Sequence, residues 1–160
     1  KKVVEDEEDE DIEKKISKNV SGLRSRLLRQ AQSKLPFLSW APVLFLSAIE
    51  KRGIHEIFGT AKQIMTEREK KISTSELNDF LEHALNLHPP ASRGKIQLKV
   101  KYCTQTGTNP PVFSFFVNDP DAVHFSFRRF LENRLREVYG FWGTPIKLDM
   151  RAKGGGRRNK

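Results

Sequence analysis

Apolar side chains recur along this chain with two different periods, and the changes of period divide it. Leu23, Leu27, Leu28 and Ala31 fall at helical spacing, which predicts an amphipathic helix ending near Pro36. Val43-Leu44-Phe45-Leu46 is a short continuous apolar run behind Pro42. Such a run predicts a strand buried on both faces, as in a parallel sheet. After Gly53, the residues Ile54, Ile57, Phe58, Ala61, Ile64 and Met65 form one helical stripe. Helix, buried strand, helix is an α/β order. One strand cannot make a parallel sheet, so residues 14–66 read as an incomplete α/β piece.

A charged connector is expected at 67–71. Ser73-Thr74-Ser75-Glu76 then supplies a capping box, in which Ser73 and Glu76 satisfy each other's orphan backbone amides. Leu77, Phe80, Leu81, Ala84 and Leu85 continue a helix until Pro89-Pro90 stops it. Ile96, Leu98, Val100 and Tyr102 alternate with Lys95, Gln97, Lys99 and Lys101, the pattern of a half-buried strand with a basic outer face. Thr106 to Pro111 is turn material, and a second strand spans Val112 to Val117. Asp119-Pro120 reads as a cap plus a proline at the first helical position. Val123, Phe127, Phe130, Leu131, Leu135 and Val138 mark the inner stripe of the long helix that follows, with Gly140 as its terminator. Ile146, Leu148 and Met150 alternate with Lys147, Asp149 and Arg151 in a third strand. Residues 72–152 thus read helix–strand–strand–helix–strand, a compact α+β unit.

Charge sharpens this division. The net charge of +9 is unevenly spread, because residues 1–13 hold two lysines against eight carboxylates. That acidic stretch has almost nothing to bury and predicts a mobile segment. The remaining residues carry +15, from Lys14 onward, and 153–160 form a flexible basic tail. So much positive charge on a small chain calls for a polyanion, and nucleic acid is the commonest. No apolar run suggests a membrane span, and the N-terminal residues have the wrong order for a signal or transit peptide. Cys103 is the only cysteine, so an internal disulfide is excluded and a cytosolic setting is expected.

Catalytic chemistry finds little support. His55, His83, His88 and His124 lack metal-ligand spacing, and Glu132 and Glu137 read as intrahelical partners of arginines. Gly140-Phe141-Trp142-Gly143 has the spacing of a KH loop that clamps an RNA backbone. It lies between a helix and a strand, though, and reads as a helix terminator plus turn; Phe141 and Trp142 could stack on a base, but packing of a small core is their expected use. The better candidates are basic. Lys99, Lys101, Lys147 and Arg151 occupy the polar positions of strands, Arg128, Arg129 and Arg136 leave the inner helix stripe, and Arg157 and Arg158 sit in the tail. Together they suit RNA phosphates. A solvated face, or an interface to another domain, is the competing use.

Several stretches are also ordered as in a known family. They are Ile72-Ser73-Thr74, His88-Pro89-Pro90, Lys101-Tyr102-Cys103-Thr104-Gln105, Asn109-Pro110-Pro111, Phe115-Phe116-Val117-Asn118-Asp119-Pro120, the run from His124 to Asn133, and Gly140 to Ile146. In them residues 72–152 resemble the C-terminal KH-like domain of the Der (EngA) family, bacterial GTPases with two tandem G domains. The resemblance implies that 14–66 are the C-terminal third of the second G domain, and that Ser47 and Ala48 belong to its last guanine-binding motif. It further implies GTP and magnesium as ligands of the parent protein, a bacterial cytoplasmic location, and a role in assembly of the large (50S) ribosomal subunit. The partners implied are ribosomal RNA and the parent's own G domains. Neither a Gly-x-x-x-x-Gly-Lys-Ser/Thr loop nor an Asn-Lys-x-Asp motif occurs in the chain, so GTP hydrolysis by this chain alone is not expected. Two alternatives stay open: a structural module that relays nucleotide state without touching RNA, and a free-standing RNA-binding protein.

Overall fold

A computed structural model of the chain describes residues 20–91 and 97–152. The acidic segment 1–13, the expected start of the first helix with Lys14, Lys15 and Lys18, the pair Lys95 and Ile96, and the tail 153–160 lie outside the described residues. The chain divides into two compact units, Lys1–Ile57 and Phe58–Lys160.

In the first unit, residues 20–34 are helical (α1) and a 3-10 turn at Pro36–Leu38 follows, as Pro36 requires. Arg24 lies 5.9 Å from the Phe45 ring centroid. The buried strand expected at Val43–Leu46 is not formed. Residues 42–46 carry no ladder, and Val43 and Leu46 are exposed. The reason is physical: a doubly buried strand is made by its neighbours, and no described strand lies beside it. Among the described residues of this unit, Ser47 and Arg52 pair, through two 3.1 Å backbone bonds that close a tight turn. Gly53 must be glycine there, since its φ is +73° and an added Cβ would meet the Phe45 carbonyl oxygen at 2.8 Å.

Helix α2 (Ile54–Glu69) forms on the predicted stripe, yet none of its residues is buried. Phe58 is 78% exposed. The helix also runs further than expected, so the supposed connector 67–71 begins inside it. Propensity decides this: Glu67, Arg68 and Glu69 are good helix formers, and nothing before Lys70 breaks the helix.

The second unit continues with α3 (Thr74–Leu87), β1 (Val100–Gly107), β2 (Val112–Val117), α4 (Phe125–Tyr139) and β3 (Lys147–Ala152). This is the α+β KH-like order read from the sequence. The capping box at α3 is complete, with the Ser73 hydroxyl accepting from the Glu76 amide and the Glu76 carboxylate accepting from the Ser73 amide. The sheet order is β1-β2-β3, with β1 antiparallel and β3 parallel to β2. A parallel pair needs a crossover, and α4 provides it.

Phe113, Phe115 and Val117 of β2 lie at the centre of the core. Leu77, Phe80, Leu81 and Ala84 of α3 and Phe127, Leu131 and Leu135 of α4 cover them. Each such valine, leucine or phenylalanine side chain contributes about 1.5–3 kcal/mol on full burial. The Asn78 side chain seals the free edge of β1: its Oδ1 accepts from the Cys103 amide at 3.0 Å and its Nδ2 donates to the Cys103 carbonyl at 3.3 Å.

Three expectations are corrected here. The register skips between Val100 and Tyr102, which pair with Val117 and Phe116, so Lys101 is the extra residue of a β-bulge. The bulge turns Cys103, not Tyr102, into the core, and burial pushes the Cys103 thiol up to about 12. Second, Asp119 caps only a 3-10 turn at Pro120–Ala122, and α4 starts later, capped by His124. Val123 is buried but lies outside the helix, because it ends the 3-10 turn in an extended conformation. Third, Val138 is 52% exposed, because its turn of α4 extends past the last buried residue, Leu135.

Candidate nucleic-acid interface

The turn after α4 is held by charge. Gly140 has φ +87° and Phe141 +61°, so the chain leaves α4 through left-handed backbone, first at a glycine that tolerates it. Glu67, at the end of α2, accepts from the amides of Phe141 at 2.7 Å and Trp142 at 3.3 Å. Lys70 bridges the Glu67 carboxylate and the Tyr139 carbonyl, each at 2.8 Å. Partial burial raises the Glu67 carboxyl, but the Lys70 ammonium and the two amides outweigh it and hold the group below the ordinary carboxylate range. Phe141 is wholly buried against Phe113, whereas Trp142 stays 40% exposed. The Gly140–Gly143 segment is therefore a terminator and turn, as its position between helix and strand implied.

Arg136 belongs to the same turn. Its guanidinium donates to the carbonyls of Phe141 at 3.1 Å and Thr144 at 2.9 Å, and pairs with Glu132 at 3.1 Å. With the side chain only 17% exposed, Arg136 serves the fold and is not displayed to an RNA.

The other candidate cations among the described residues, Lys99, Lys101, Arg128, Arg129, Lys147 and Arg151, are exposed. Because β1 is antiparallel and β3 parallel to β2, the start of β1 and the ends of β2 and β3 share one end of the sheet. Exposed Lys99, Lys101 and Arg151 stand there. Asn118 fixes the first of them: its Oδ1 accepts from the Lys99 amide at 2.7 Å and its Nδ2 donates to the Gln97 carbonyl at 2.8 Å. Chain connectivity brings α4 to this end too, since it starts seven residues after Asn118, and the Pro120–Ala122 turn packs against β3. Exposed Arg128 and Arg129 lie in its first turns, where the helix dipole is already positive and the first turn itself holds no acidic residue. From Ala152 the sequence continues with Lys153, Arg157 and Arg158. Lys147 stands at the opposite end of the sheet, 4.0 Å from Asp149. Asp149 also pairs with Arg151 at 3.2 Å. Arg157 and Arg158 lie outside the described residues.

Ser47 and Ala48 sit at the mouth of the turn closed by Arg52, the Ser47 hydroxyl accepting from the Glu50 amide at 3.2 Å and Ala48 exposed. Among the described residues no helix is long and apolar enough to cross a membrane. Sequence reasoning missed Glu67, Lys70 and Asn118 as positioning residues. It also missed Tyr102 as a surface residue; the signal was the three-residue step from Val100 to Cys103, where simple alternation requires two.

Residues 71–151 match the family described as KH-domain-like of EngA bacterial GTPase enzymes, C-terminal. The chain is 42% identical over 132 residues to the GTPase Der of Thermomicrobium roseum, an alignment covering 82% of this chain and 29% of that protein. It is 47% identical over 116 residues to the GTPase Der of Chlorobium phaeobacteroides, covering 72% and 27%. To the GTPase Der of Clostridium novyi it is 42% identical over 143 residues, covering 89% and 32%. The chain thus spans about a third or less of the length of these relatives. With a KH-like domain of the matching fold and this extent of similarity, the chain belongs to the Der (EngA) GTPase family, as its C-terminal part.

Proposed function

We propose that the chain acts as the C-terminal part of a bacterial cytoplasmic GTPase that times assembly of the large (50S) ribosomal subunit, its KH-like domain docking on ribosomal RNA. The observation that carries this reading is the gathering of Lys99, Lys101, Arg128, Arg129 and Arg151 at one end of the KH-like domain. The Arg157-Arg158 pair follows this end in sequence, and Lys147 is a weaker candidate because it stands at the opposite end of the sheet. Contacts of this kind supply affinity and register but no base readout. GTP and magnesium belong to the upstream part of the parent protein, with Ser47 and Ala48 contributing the guanine-side backbone.

A salt titration of this chain on a large-subunit RNA fragment tests the reading. If about five phosphates are neutralised, log affinity falls with log salt at a slope of about −3.5 to −4.5. A slope near zero removes RNA docking.

A second use favoured by one observation is packing on the parent's own G domains. The stripe Ile57, Phe58 and Met65 on α2 is exposed, which suits burial against the sheet of a complete G domain. It concerns a different surface and is compatible with RNA docking at the basic end.

A further inference from the structure

We propose that Tyr102 and Phe116 form a seat on which an unpaired RNA base stacks, beside the basic end of the sheet. This rests on the RNA docking proposed above and specifies that the RNA held there is single-stranded.

The register places two adjacent rows across the sheet. Cys103, Phe115 and Met150 form one, and Tyr102, Phe116 and Arg151 form the next. Successive side chains on a strand point to opposite faces, so the two rows face opposite ways. Cys103 and Phe115 are wholly buried in the core under the helices, and Met150 packs against it. The Tyr102 row therefore lies on the face turned away from α3 and α4. Neither Tyr102 nor Phe116 belongs to the core cluster, and both are half-buried.

Their rings are stacked, with centroids 4.2 Å apart and planes at 11°. Arg151 follows Phe116 in the row, so the ring face that continues the stack is the side of Tyr102 turned from Phe116, and a nucleobase fits such a position whatever its identity. Arg151 completes the row, its side chain 50% exposed. Lys101, the bulge residue between Val100 and Tyr102, and Lys99 stand next to it, both exposed. Cations flanking stacked aromatic rings match a strand that carries phosphates and splayed bases together. A duplex offers phosphates, 2′-hydroxyls and base edges but no free base face, because its bases are already stacked on one another. The bulge at Lys101 creates the arrangement: without the extra residue, Tyr102 would point into the core.

The competing explanation is a cross-strand aromatic pair that merely stabilises the sheet, or a patch that packs on a G domain. The 160-residue chain, a short unstructured oligoribonucleotide carrying 2-aminopurine, and a blunt duplex of the same sequence separate these uses. The single strand should bind with quenching of 2-aminopurine fluorescence, a readout that needs no variant. Tyr102→Ala or Phe116→Ala should weaken single-strand binding by about five- to a hundredfold, with duplex affinity and salt slope unchanged. Tyr102→Phe should bind as the parent does. Salt-dependent binding without quenching, or equal losses for single strand and duplex, would overturn the seat and leave phosphate docking standing. Absence of any RNA binding at low salt would overturn both. Unchanged RNA binding by Tyr102→Ala, with loss of binding to an added G domain, would assign the face to protein packing and overturn the seat.

Discussion

The Glu67 carboxylate accepts a hydrogen bond from the Phe141 amide at 2.7 Å, across a sequence separation of 74 residues. This bond ties the end of α2 to the turn after α4. Removing the acceptor by Glu67→Ala leaves the Phe141 amide and Lys70 without it, and should cost about 1–3 kcal/mol of stability. The Glu67 carboxyl titrates below its ordinary value in the folded chain. Its contribution is therefore complete above the unfolded-state value, about 4, and is lost as pH falls through the folded one. Chemical denaturation at neutral and acid pH checks the sign. The gap between parent and Glu67→Gln should narrow as the medium is acidified, and a gap that widens would refute it.

Arg136 and the pair Arg128 and Arg129 should separate cleanly. Arg136→Ala removes donors from the Phe141 and Thr144 carbonyls, so it should lower stability by about 1–3 kcal/mol. Its effect on the salt dependence of RNA binding should be small. Arg128→Ala with Arg129→Ala should do the reverse, leaving the melting temperature nearly unchanged and flattening the salt slope by about one to two units. Thermal melts alongside the RNA titration decide between these patterns.

Lys99, Lys101 and Arg151 are expected to act with the tail. Changing all three to glutamine should reduce the salt slope by about two to three units, and Arg157→Ala with Arg158→Ala by about one to two. Unrelated RNAs should be weakened similarly, because phosphate contacts carry no sequence information. Lys147→Gln, at the far end of the sheet, should matter least.

Asn118→Ala tests how Lys99 is positioned. The side chain makes two hydrogen bonds to the segment before β1. Its loss should cost about 1–2 kcal/mol and speed amide exchange at Lys99 more than at Phe115 in the core. Uniform exchange across both sites would show that Asn118 has no local role.

Nucleotide titration by calorimetry addresses the upstream expectation. No phosphate loop occurs in the chain, so GTP should give no heat of binding at micromolar protein and produce no turnover. Micromolar affinity would show that the Ser47-Ala48 turn binds guanine without a phosphate cradle.

Much of the KH-like domain was legible because its signals are local. The Ser73–Glu76 capping box, the alternation of Leu148 and Met150 with charged neighbours, and Gly140 after α4 each act within a few residues. Pattern alone also marked the cations, and the stretches from Ile72 to Ile146 carried the family resemblance. Tertiary structure decided which cations meet. Lys99, Lys101, Arg128, Arg129 and Arg151 share one end because β2 pairs antiparallel with one neighbour and parallel with the other, a choice that no single strand encodes. The side facing out at Tyr102 depends on a bulge, which exists only in the register between two strands. Arg136 looked like the other arginines until the turn beside it presented two carbonyls. The strand expected at Val43–Leu46 failed for the same reason in reverse: its apolar run describes an environment that only neighbouring strands can supply. Sequence determines local period and caps; partners supplied by folding determine register, display and burial.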